Sequence, residues 1–278
     1  MTAVLRQGRT RGLIELRQSL TNAGDLFNHC FWPALMLVTL YFMRHHDYGG
    51  GFPLAGLVLP SILGMNAAMA MVTMSQTLTA DREDGTLLRA KATPDGVGAY
   101  LVGKVVSVSG GLLVDLAIFL VPALLLVPGL ATARPAAWGT VLWVLALGLL
   151  ATLPFGAVLG SVFGSARAQG LLTLPVLAVI AISGIFYPIT ALPGWVQGLA
   201  QVFPVYWLGL GMRSALLPAD AAAVEIGDSW RHLETAAVLG AWAVAGLLIA
   251  PAVLRRMARH ESGSAVAARR DRALRRVA

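Results

Sequence analysis

The chain has 278 residues, of which 57% are hydrophobic and only 13% charged, with a mean hydropathy of +0.72. A soluble domain carries roughly 25% charged residues. This chain cannot cover itself with a water-compatible surface, so it is expected to be an all-α integral membrane protein. The net charge of +7 lies between apolar runs and near the C-terminal end, without interleaved aromatics, which argues against nucleic acid as a partner.

In chain order, the first residues carry Arg6, Arg9, Arg11 and Arg17 but no compact apolar core. They do not read as a cleavable signal, and the first long apolar run is expected to be a retained span. Leu13, Ile14, Leu16 and Leu20 with Arg11, Arg17 and Gln18 predict a partly amphipathic helix over about residues 10–22, suited to the membrane interface.

A span needs about 20 apolar residues, because the hydrocarbon core is about 30 Å thick. Runs of that kind predict about six transmembrane helices, near residues 26–43, 53–78, 100–127, 138–163, 170–187 and 235–254. Cys30, the sole cysteine, excludes an internal disulfide and reads as a small apolar filler near the start of the first span. His45, His46 and Asp47 follow that span and read as a solvated loop, since a metal site would need more ligands.

On the second span, Asn66, Met69, Thr73, Gln76 and Thr77 recur at helical spacing, with Met65, Met71 and Met74 close by. Polar side chains in lipid normally face a bundle interior or a cavity, and methionine adapts to varied apolar surfaces. Two readings stand: this face lines a path for an amphiphilic substrate, or it makes ordinary hydrogen bonds between helices.

The stretch from Thr79 to Pro94 is a charged connection. Asp84-Gly85 signals a turn, Thr86 can cap a short helix to about Ala92, and Pro94 stops that helix. A short two-sign helix at the membrane face suits docking into another protein. Just beyond it, Gly98, Gly103 and Lys104 match the first part of a phosphate-binding loop, but the next residue is Val105 rather than Ser or Thr, and the segment opens a span. The chain therefore shows no nucleotide site of its own, nor a protease, hydrolase or kinase signature.

Asp115 falls near the middle of the third span, where a charge costs about 2.5–3.5 kcal/mol on insertion scales. A structural polar contact is the favoured reading and a proton-coupled role the sharper one. Lys104 lies too far along the helix to pair with it. Gly156, Gly160 and Gly164 form a tandem G-x-x-x-G on the fourth span, which permits close helix packing with a partner the motif does not name.

Pro193, Pro204 and Pro218 break the segment after the fifth span, and Trp195, Phe203, Tyr206 and Trp207 suit an interface. Short helices dipping into the outer leaflet are expected there. Residues 259–278 form a basic tail, disordered or lying on anionic lipid. Lysine and arginine concentrate before the first span, after the second and in the tail, while the opposite side has only Arg44, Arg134, Arg213 and Arg231. Both termini are therefore expected in the cytoplasm.

Arg82-Glu83-Asp84-Gly85-Thr86-Leu87, then Arg89 and Thr93-Pro94, resembles the loop of type-2 ABC transporter permeases, and is similar to the membrane subunits of daunorubicin-resistance-type drug exporters. Ser183-Gly184-Ile185-Phe186-Tyr187-Pro188, then Leu192-Pro193, Phe203-Pro204 and Arg213, resembles their fifth span and outer re-entrant helices. The resemblance implies a permease dimer, of one chain or of paralogues, above two copies of a separate ATPase that holds ATP and Mg. The 84–94 loop would be the coupling helix. The first, second and fifth spans would line the path, adding Ser183 and Phe186 to the face on the second span. An amphiphilic drug or lipid-like substrate would leave the cytoplasm or inner leaflet of a bacterial plasma membrane. An ion-gradient-driven transporter is the alternative, resting on Asp115.

Overall fold

The computed structural model describes residues 2–46, 54–127, 129–132, 134–163 and 166–260. Asp47, Gly164 and the tail beyond His260 lie outside the described residues. Ten α-helices are seen among those described: α1 (Thr2–Thr21), α2 (Ala23–Met43), α3 (Leu54–Glu83), α4 (Thr86–Lys91), α5 (Gly96–Leu126), α6 (Pro135–Val162), α7 (Ala166–Ile182), α8 (Gly194–Ala200), α9 (Pro204–Leu216) and α10 (His232–His260). Short 3-10 turns at Ile189–Ala191, Ala219–Val224 and Ile226–Asp228 join the later elements. No strand occurs among the described residues. The protein is an all-α multi-pass membrane protein.

Five helices are long and apolar enough to cross a bilayer: α2, α3, α5, α6 and α10. At 1.5 Å per residue, the 31 residues of α5 reach about 46 Å, well beyond a core of about 30 Å. The fifth of the six predicted runs is a shorter helix. α7 has 17 residues, Ala166–Ile182. The chain turns out of it at Ser183 and Gly184, whose φ of +64° favours glycine, so the apolar residues up to Tyr187 leave the helix.

α3 is the central element, with α6, α9 and α5 packed around it. Glycines set how closely they approach. A Cβ on Gly156 would lie 2.4 Å from the Met71 carbonyl oxygen, and one on Gly160 would lie 2.6 Å from that of Ser75. The partner of the G-x-x-x-G stripe is therefore α3. Thr152 extends the contact, its hydroxyl reaching the Ala67 carbonyl at 3.4 Å.

α9 is one of the short helices expected after the fifth apolar run, and protein surrounds it. It is enclosed by α3, α6 and α10, and every residue from Pro204 to Arg213 is buried. A Cβ on Gly64 would meet the Gly209 nitrogen at 2.6 Å, and one on Gly211 would meet Val144 Cγ2 at 2.8 Å. Small residues on both sides thus let a short helix enter the bundle, where protein rather than lipid surrounds its ends.

α1 begins earlier than residue 10 and packs lengthwise on α5. Gly8 and Gly12 place their backbone against Val102 and Gly103, and Leu16 fills the space at Gly110. Asn22 alone separates α1 from α2, its Oδ1 accepting the Gly24 and Asp25 N–H groups at 2.9 and 3.2 Å as an N-cap. Cys30 is exposed on α2 and fills no internal space. It lies among the exposed Phe27, Phe31 and Trp32.

Candidate functional site

The link between α3 and α5 is a braced corner. Gly85 adopts φ +79° at the start of α4, and the Asp84 carboxylate accepts the Thr86 N–H at 2.8 Å. The cap is therefore Asp84-Gly85 rather than Thr86, whose hydroxyl instead accepts from the Arg89 guanidinium at 2.8 Å. Leu87 is 1% exposed and anchors α4 inward. At the other end Thr93 donates to the Ala90 carbonyl at 2.8 Å. A Cβ on Gly96 would lie 2.0 Å from both that oxygen and the Thr93 hydroxyl. Glycine is required there for α5 to start so close to α4.

Glu83, Asp84, Arg89 and Pro94 are exposed around this corner, and Lys91 reaches the Arg259 carbonyl of α10 at 3.4 Å. Arg82, grouped with them from the sequence, is turned inward. Its Nη1 donates to the Gly160 and Ser161 carbonyls at 3.0 and 2.8 Å, at the last turn of α6, where carbonyls lack helical partners. Thr79 donates to Gly160 and Phe163 carbonyls beside it.

One turn further into the bundle lies an ionic cluster. Lys104 on α5 is 7% exposed. Its Nζ stands 2.9 Å from Glu15 Oε2 on α1 and 2.7 Å from Asp81 Oδ2 on α3. Tyr100 donates its hydroxyl to Asp81 at 2.7 Å. Arg11 donates to Glu15 at 3.0 Å and lies 4.9 Å over the Tyr100 ring. Residues 98–104 are thus helical and their lysine is held by two carboxylates, an arrangement unlike a phosphate-binding loop.

α3 is mostly buried, and its open stripe is polar. Asn66 and Met69 are half-buried, and Thr73 and Gln76 are exposed, one helical turn apart in sequence. Asn66 donates to the Ile62 carbonyl at 3.0 Å, and Thr77 to the Thr73 carbonyl at 3.0 Å. These bonds stay within α3. Phe186 is half-buried near the other end of the bundle. Ser183, paired with it from the sequence, is fully buried and donates to the Val179 carbonyl at 2.6 Å. It lines no open surface.

Asp115 has a partner that the sequence did not suggest. Its Oδ1 contacts Nδ1 of His29 on α2, and His29 Nε2 lies 2.9 Å from the Ser19 hydroxyl of α1. A polar clasp thus joins α1, α2 and α5. His29 is 86 positions away from Asp115, so no local pattern could have paired them.

At the opposite end, Arg213 of α9 is 1% exposed. Its Nε and Nη2 meet the two Glu225 oxygens at 2.6 and 3.3 Å. Nη1 donates to Ser61 at 2.8 Å and to the Gly184 carbonyl at 3.3 Å. The pair ties α9 to α3 and to both flanking loops.

Five long apolar helices, a short helix cornered between two of them and a second short helix enclosed in the bundle define a polytopic membrane protein. The chain belongs to the ABC-2 type transporter family, whose model matches residues 11–217, from α1 through α9. It is a membrane component of an ABC transporter and not the ATP-binding subunit. No curated protein matches it.

Proposed function

We propose that this chain is the permease subunit of an ATP-driven exporter, moved by a separate ATPase through α4. One observation carries the reading: α4 is anchored to the bundle by Leu87, yet the corner it forms exposes Arg89 on α4 with Glu83, Asp84 and Pro94 on either side of it. A helix held rigidly on one side and charged on the other is fitted to receive a push. Two ATPase copies would hold ATP and Mg below a pair of permeases, identical or paralogous.

The open stripe of α3, with Asn66, Met69, Thr73 and Gln76, would face the second permease across the substrate path, and Phe186 would stand near its far end. Polar groups already bonded within their own helix present a mild surface, and Met65 and Met71 beside them adapt to irregular apolar shapes. That combination favours an amphiphilic substrate, drug-like or lipid-like, leaving the cytoplasm or the inner leaflet. The arginine distribution favours an orientation with α4 and both termini cytoplasmic, in what the family resemblance suggests is a bacterial plasma membrane.

The test is reconstitution with the ATPase in liposomes, reading transport of a fluorescent phospholipid and of a lipophilic cationic dye per ATP hydrolysed. Exchanging the charges in a Glu83→Lys, Arg89→Glu double variant should lower that ratio. Unchanged coupling in the double variant refutes the role given to α4.

A further inference from the structure

We propose that Lys104 is the positioning residue that makes α1 move with α4, so that the ATPase stroke reaches α2 through α1. The inference rests on the permease reading above. Lys104 lies on α5, and its two carboxylate partners come from two other helices, Glu15 from α1 and Asp81 from α3. The cluster of Lys104, Arg11, Glu15 and Asp81 pairs two cations with two anions. Tyr100 closes it, donating to Asp81 and lying under Arg11.

A buried ion pair adds little net stability compared with apolar packing, but it fixes register, because sliding either helix strands a charge. Here the register fixed is that of α1 against the two helices that carry α4. Asp81 lies in the last turn of α3, and Tyr100 and Lys104 lie in the first turns of α5. α4 stands between them and is tied to α5, the Thr93 N–H donating to the Ala90 carbonyl at 3.2 Å and the Gly96 N–H to the Thr93 carbonyl at 3.1 Å. A push on α4 therefore displaces the cluster.

Glycine backbones continue the linkage along α1. Gly8 and Gly12 lie directly on α5, so α1 has no slack to absorb the motion. α1 passes into α2 after the single residue Asn22. The Ser19–His29–Asp115 clasp holds that elbow on α5. α2 packs on α5, α1 and α3 along one side and turns Phe27, Phe31, Trp32, Leu35, Val38 and Phe42 away from the bundle. Lys104 is thus the joint and α1 the lever arm.

The experiment uses the full complex with its ATPase and pulsed electron–electron spin resonance, in a Cys30→Ser background, with labelled chains diluted in unlabelled ones. One label pair, Arg9→Cys and Ala92→Cys, reports α1 against the end of α4. A second, Gly198→Cys and Ala92→Cys, reports α4 against α8. Spectra are compared between the nucleotide-free and the vanadate-trapped states.

With Lys104 present, the second distance should shift on trapping while the first stays at one value. Lys104→Met should split or broaden the first distance and leave the second shifting, and Lys104→Arg should restore the single value. A first distance that changes in the parent protein overturns the lever, as does a Lys104→Met spectrum identical to the parent. A second distance that never shifts overturns the permease reading itself. Should Lys104→Met fail to assemble, Glu15→Gln removes the α1 contact alone and carries the same prediction.

Discussion

The two ends of the bundle both contain ion pairs, and they use them differently. At the α9 end, Arg213 and Glu225 are each about 1% exposed in their side chains, and Arg213 is bonded on every side. At the α4 end, Lys104, Glu15 and Asp81 come from three helices and their side chains remain 9%, 21% and 15% exposed. A sealed pair holds one arrangement, because parting it strands charge in a dry site. A partly wet cluster spanning three helices can be displaced as a unit. The first is a fastener for α9, and the second is the proposed joint beside α4, the helix proposed to meet the ATPase.

Breaking the sealed pair should have the largest effect on stability. Glu225→Gln leaves Arg213 buried without its counter-charge and should cost about 3–5 kcal/mol. Thermal unfolding in detergent checks this, and a joint Arg213→Met, Glu225→Leu replacement should recover most of the loss. Packing beside the joint comes next. Gly160→Val would drive a side chain into the Ser75 backbone, costing about 1–3 kcal/mol on the same assay. Arg82→Gln removes charge-assisted bonds from the end of α6 and should cost about 1–2 kcal/mol. The smallest stability effect belongs to the α4 surface. Glu83→Lys with Arg89→Glu alters exposed groups and should stay within about 0.5 kcal/mol, while reducing transport per ATP. That inversion, least effect on folding and most on coupling, separates the two ends.

The spans were legible because run length and charge asymmetry are written locally. α2, α3, α5, α6 and α10 each announce themselves as apolar runs near bilayer length. α7 was overextended because Ile185, Phe186 and Tyr187 are apolar yet follow the turn at Gly184. α9 was expected as a short helix after the fifth run, but how deeply protein encloses it was not legible. Its prolines and length suggest an interfacial helix, and nothing local says that Gly64 and Gly148 open space for it inside the bundle. At the α4 corner the exposed charges could be read directly, but Arg82 could not be told apart from its neighbours, since its partners are carbonyls of α6. Ser183 was assigned to the path by resemblance and lies in the interior instead. The Lys104 cluster and the His29–Asp115 contact bring together residues far apart in sequence, and only the packing of α1, α2 and α3 against α5 reveals them.

The most direct test is capture of an ABC-type ATPase subunit by this chain. A tagged chain co-expressed with that ATPase should purify with it in a fixed ratio. The Glu83→Lys, Arg89→Glu double variant, folded equally well, should bind it about tenfold more weakly or worse, a difference of about 1.4 kcal/mol or more. Equal binding by the parent and the variant, or no binding by the parent, would contradict the account.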